Sequence, residues 1–118
     1  MTYIPEVIGK HFIIDLWFCE CDIENIELIK NKLIELVEKL NFNIVEAFFH
    51  KFSPYGLSGV IIISESHVAI HTYPEYEYVS IDIYTCNPNI DLKYIINDVV
   101  NIFKPKKIKI DVIDRGKF

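Results

Sequence analysis

The chain has 118 residues, 51% of them apolar, and a formal net charge of −5. That length holds one domain with a real core and not two, and the composition is globular rather than disordered. The acidic balance argues against nucleic acid, whose phosphates need a basic patch, but leaves room for a cationic small molecule.

The apolar runs are too short to cross a bilayer, and the first residues lack a basic-then-apolar leader. A soluble, cytoplasmic protein is expected, with no membrane partner. Three cysteines, Cys19, Cys21 and Cys86, suggest no disulfide framework. The one-residue spacing of Cys19 and Cys21 is poor for zinc, so no metal is expected and the pair reads as small hydrophobes near a strand end.

Residues 1–9 carry the breakers Pro5 and Gly9 and read as loose. Residues 11–19 form a first strand. Phe12, Ile14, Leu16 and Phe18 fall on one face and His11, Ile13, Asp15 and Trp17 on the other. Asp22 suits a helix N-cap, with Glu24 and Glu27 near the positive end of the dipole. The helix runs to about residue 40. Ile26, Ile29, Leu33, Leu36, Val37 and Leu40 make its apolar stripe.

Asn41 and Asn43 close that helix, and residues 44–52 form a second strand. Ser53-Pro54-Tyr55-Gly56 is a turn signal, since Pro presets φ and Gly permits a positive value. Two apolar strands follow, roughly 57–63 and 68–72, joined by Ser64-Glu65-Ser66-His67. Hairpins this tight usually turn through Asn-Gly or another Gly pair; here four reactive polar side chains replace the turn formers. Residues 73–77 are a short loop. Residues 78–85 alternate cleanly, with Val79, Ile81 and Ile83 on one face, and Cys86 ends the strand on the polar side. Asp91 caps a second helix over about 92–103, with Ile95, Ile96, Val99, Val100 and Phe103 inward and Pro105 as its stop. Residues 107–113 form the last strand.

The order β-α-β-β-β-β-α-β predicts an α+β fold: one domain over 1–118, a two-layer sandwich with an antiparallel sheet and both helices on one face. Several strands are apolar on both sides, yet two helices cover only one face. A second chain is expected on the other, giving stacked sheets in a homodimer.

Ser58-Gly-Val-x-x-x-x-Glu65-Ser66-His67-x-x-Ile70-His71-Thr72-x-Pro74-Glu75, followed by Asp82-Ile-Tyr-Thr-Cys86, resembles the short prokaryotic S-adenosylmethionine decarboxylases. The resemblance runs from about Gly9 to Arg115. It implies a self-cleaving proenzyme cut between Glu65 and Ser66 into fragments 1–65 and 66–118, with a covalent pyruvoyl group made from Ser66 as the only cofactor. The Ser66 hydroxyl attacks the Glu65 carbonyl, and elimination and hydrolysis leave the pyruvoyl group. Such an attack needs a strained or well-held turn and a polarising donor, and elimination needs a base. The resemblance assigns His71 as that processing base, Ser58 as its assisting hydroxyl and Cys86 as the proton donor in catalysis. An ordinary thiol, with a pKa of about 8.5, keeps its proton at neutral pH. The pyruvoyl keto carbon takes a substrate amine as a Schiff base and acts as an electron sink, as pyridoxal does elsewhere.

The same resemblance assigns Phe52 to stack adenine and Glu75 to accept from the ribose hydroxyls, roles that suit a flat π-face and a charged acceptor. It implies decarboxylation of S-adenosylmethionine to the aminopropyl donor for spermidine, in a dimer with active sites near the interface. Glu77 stands where the family often has Gly, and Asn87 follows Cys86 where Gly is common. An extra carboxylate suits a guanidinium, and relatives of this fold decarboxylate arginine, which keeps an arginine or other amino-acid decarboxylase as the alternative. A non-catalytic dimeric partner and a thiol hydrolase built on Cys86 and His71 are the more distant readings. His11 and His50 read as structural.

Overall fold

The computed structural model describes Tyr3 and residues 5–118. The elements are β1 (Gly9–Trp17), α1 (Ile26–Lys39), β2 (Ile44–Lys51), β3 (Leu57–Ile63), β4 (Ser66–Tyr73), β5 (Tyr78–Thr85), α2 (Leu92–Phe103) and β6 (Lys107–Arg115), with a 3-10 turn at Pro74–Tyr76. All six strands form one antiparallel sheet in the order β2-β3-β4-β5-β1-β6. Both helices lie on one face of it, the α+β sandwich expected from the element order. Part of the expected loose segment, at positions 1, 2 and 4, lies outside the described residues; Gly9 already belongs to β1.

The core forms between the helices and the strand residues of one parity. Ile29, Leu33, Leu36 and Val37 of α1 and Ile95, Val99, Ile102 and Phe103 of α2 meet Phe12, Ile14, Leu16, Ile61, Val68, Ile70, Val79, Ile81 and Ile83. Each fully buried side chain of this size contributes about 2 kcal/mol.

Four local expectations are corrected. β1 ends at Trp17 and not at 19, because Phe18 takes φ 55 and turns its ring to solvent. The cap of α1 is Asn25, whose side chain accepts from the Leu28 N–H, while Asp22 only closes a local turn onto the Glu24 N–H. In α2, Ile96 and Val100 face outward and Ile102 takes their place in the core. Pairs at i and i+1 cannot share a helix face, so only one member of each doublet packs. The central hairpin is tighter than expected. Its turn is Ser64-Glu65 alone, Ile63 pairs with Ser66, and Ser66 already opens β4.

The other parity faces away from both helices. His67, Ala69 and His71 of β4 share this face, as strand alternation requires, with Ser58, Val60 and Ile62 of β3 and Phe48 and His50 of β2. Phe48 is 59% and Ile62 43% exposed. The apolar, uncovered sheet face expected from the sequence is therefore present.

Candidate active site

The structure gathers the expected residues into two groups at opposite ends of the sheet. The first surrounds the Glu65–Ser66 bond. Ser66 pairs with Ile63 on one side and Thr85 on the other, and it holds φ 140, a value that side chains other than Gly rarely adopt. The Glu65 carbonyl accepts two hydrogen bonds from one residue, from the Cys86 N–H at 3.2 Å and from the Cys86 thiol at 3.6 Å. Antiparallel pairing of β4 with β5 places Cys86 there. Two donors on one carbonyl oxygen draw electron density from its carbon. The family resemblance assigned Cys86 as a proton donor for catalysis; its backbone contact with the Glu65 carbonyl became visible only with the β4–β5 register.

The second group lies at the far end of β3 and β4. Ser58 and His71 are direct register partners, and Ser58 Oγ is 2.7 Å from His71 Nδ1. With Nδ1 engaged by the hydroxyl, Nε2 is the ring nitrogen left for proton transfer. Phe52, Tyr55, Tyr73 and Glu75 border the same hollow as this pair, a cavity of about 350 Å³. The Phe52 ring is 49% exposed and braced edge-on by His50, with ring centroids 4.6 Å apart. Gly56, at φ 91, lets the turn close onto the Phe52 N–H and hold that ring at the cavity's edge. A second hollow of about 450 Å³, more apolar, opens on the β2 side of Ser58 and His71 between Phe48, His50 and Val60.

Ser66 and His71 are five residues apart on one extended strand, which puts their backbones roughly 16 Å apart. Within one chain His71 does not reach residue 66. Cys86 and His71 are separated in the same way, so these two do not form within one chain the pair that a thiol hydrolase built on them needs.

The remaining residues are bland. Glu77 adopts φ 51 and borders a separate hollow with Cys19, Cys21 and Pro74, not the one holding Phe52 and Glu75. Its φ is one that glycine adopts without strain. The Asn87 side chain accepts from the Asn89 N–H in a local turn. Burial pushes the Cys19 thiol up to about 12, with the neighbouring Cys21 adding to it, and burial raises Cys21 too; both pack against the core as small apolar groups. Among the described residues no three His, Cys, Asp or Glu side chains are grouped to hold a metal ion. No described helix is long and apolar enough to cross a membrane.

A family model described as S-adenosylmethionine decarboxylase matches residues 10–116. The chain belongs to this family. An S-adenosylmethionine decarboxylase proenzyme of Clostridium botulinum (strain Langeland) is 46% identical over 110 residues, covering 92% of this chain and 95% of the relative. One from Oceanobacillus iheyensis is 45% identical over 95 residues, covering 76% and 75%. The crystal structure of the adenosylmethionine decarboxylase from Aquifex aeolicus VF5 superposes with a TM-score of 0.84 at 29% identity, over 95% of this chain and 93% of that one.

Proposed function

We propose that this chain is a proenzyme that cuts itself between Glu65 and Ser66 and then decarboxylates S-adenosylmethionine, yielding an aminopropyl donor for spermidine synthesis. The observation that carries the reading is the state of the scissile unit: a serine at φ 140 beside a carbonyl that already accepts from the Cys86 N–H and thiol. Conformational strain and a polarised carbonyl both favour attack of Ser66 Oγ on the Glu65 carbon. The amide becomes an ester. Loss of the residue 66 α-proton then expels the Glu65 carboxylate, and hydrolysis at residue 66 releases ammonia and leaves the pyruvoyl group. Ser58 fixes the ring of His71, the base for that proton.

The separation of Ser66 from His71 supports a homodimer whose sites are shared. Two helix-free faces stacked about 10 Å apart, around a twofold axis running across the strands, set the Ser66–Cys86 end of one protomer over the Ser58–His71 end of its partner. Phe48, Val60 and Ile62 supply apolar surface for that contact.

The pyruvoyl group supplies an electron sink for the pair left behind by CO₂. The chain's own residues do the rest. Phe52 offers an exposed ring to the adenine, Glu75 accepts from the ribose diol, and the Cys86 thiol holds the proton that returns to the product carbon. Arginine is the less favoured substrate. It needs no flat partner, and Glu77, the carboxylate that made it attractive, borders a different hollow.

The test combines the denatured mass of purified protein with ¹⁴CO₂ release from carboxyl-labelled S-adenosylmethionine and arginine. Fragments 1–65 and 66–118, and release from S-adenosylmethionine that drops in Phe52→Ala, are expected. A single full-length mass in active protein, or release from arginine alone, overturns the reading.

A further inference from the structure

The chain contains a single arginine, and it stands at the Ser66 end of the uncovered face. Arg115 is the last residue of β6 and pairs with Gly9. Its guanidinium lies over the ring of Tyr84, 5.5 Å from the centroid. Tyr84 directly precedes Thr85, the register partner of Ser66, and is two residues from Cys86. A side chain at position 9 cannot coexist with this arrangement: a Cβ there would stand 2.9 Å from Tyr84 Cε1. Gly9 thus lets the ring lie across β1, beneath the guanidinium of Arg115. His67 and His11 flank the same ring at 5.8 and 6.0 Å.

Among the described residues, no carboxylate forms a salt bridge with Arg115. His11, by contrast, is held by Asp82 at 3.1 Å, and Lys109 by Asp111. In a chain of net charge −5, a guanidinium with no carboxylate partner, set on an aromatic platform at the Ser66 end of the sheet, is conspicuous. Such a planar fork recognises carboxylates in two-point fashion, and the ring fixes its plane in advance.

We propose that Arg115, carried by Tyr84 across Gly9, is the specificity residue that recognises the α-carboxylate of the amino-acid substrate as it docks. This inference rests on the decarboxylase reading above. The contact exists in the ground state and vanishes with CO₂. It strengthens substrate binding without lowering the barrier, and nothing retains the product by this route. The carboxyl-free product then has no use for Arg115, which separates recognition from a merely structural role.

Wild-type protein and the Arg115→Gln, Arg115→Lys, Tyr84→Phe and Tyr84→Leu variants are compared in three measurements. These are the extent of self-cleavage, KM and kcat for S-adenosylmethionine, and the calorimetric Kd of the decarboxylated product. Arg115→Gln is expected to cleave normally and to raise KM on the order of tenfold to a hundredfold, the range for a charged hydrogen-bonded pair. Its kcat should not fall and its product Kd should stay within about twofold of wild type. Arg115→Lys recovers part of the KM effect, Tyr84→Phe behaves as wild type, and Tyr84→Leu follows Arg115→Gln. An unchanged KM in Arg115→Gln, or a product Kd weakened as much as KM, overturns the inference. Wild-type enzyme that releases no CO₂ from S-adenosylmethionine instead overturns the decarboxylase reading.

Discussion

Ser66 and His71 occupy opposite ends of β4, on a strand that keeps them roughly 16 Å apart. A shared site follows if the two meet across a dimer. Co-expressed Ser66→Ala and His71→Ala chains then form mixed dimers with one intact pairing, Ser66 of the second chain against His71 of the first. Fragments should appear from the His71→Ala chain only, whereas either variant alone stays whole. If tagged mixed dimers show no cleavage at all, the sharing is wrong.

The φ of 140 at Ser66 belongs to backbone that glycine accepts and alanine does not. Both Ser66→Gly and Ser66→Ala lack the hydroxyl and remain uncut. Ser66→Gly should nevertheless be the more stable, by roughly 1–2 kcal/mol in urea unfolding. Equal stabilities would mean that no strain is stored at residue 66.

Glu77 sits at φ 51 without glycine's freedom. Glu77→Gly should raise stability by roughly 1 kcal/mol and leave the preference for S-adenosylmethionine over arginine unchanged. A variant that gained arginine turnover would show that Glu77 polices the pocket after all.

Cys86 offers a backbone N–H and a thiol to the same carbonyl, and substitution removes only the thiol. Cys86→Ala should therefore still cleave, more slowly, while turnover of whatever matures falls by about 10²-fold or more, the usual scale for losing a general acid. Complete loss of cleavage on gel electrophoresis would assign the thiol, not the amide, as the essential donor.

The three thiols should also differ in reactivity. Cys86 is exposed, whereas burial raises both Cys21 and Cys19, the latter to about 12. Only a thiolate alkylates, so iodoacetamide at pH 8 should label Cys86 first and spare Cys19 and Cys21 in folded protein. Peptide mapping that finds Cys19 labelled as fast would contradict the burial.

Much of the fold was written in local periodicity. The alternation of Val79, Ile81 and Ile83, and the α1 stripe of Ile29, Leu33, Leu36 and Val37, each specify a face, because residues at period 2 or 3.6 share one side of their element. The surplus of two-sided apolar strands over helices announced an uncovered sheet face. The motif around Ser66 named the candidate site residues, since their types and spacing are carried by the chain itself. Boundaries were less legible: doublets such as Ile95-Ile96 and Val99-Val100 offer two phases, and only packing against the sheet chose between them. Distance was not legible at all. The family resemblance joined Ser66 and His71 in one processing step, but an extended strand converts five residues into a long separation. Hydrogen bonding between β4 and β5 did the reverse and carried Cys86 to the carbonyl of Glu65, 21 residues earlier. Strand pairing is a long-range choice, made by the whole sheet at once, and no local stretch of the sequence contains it.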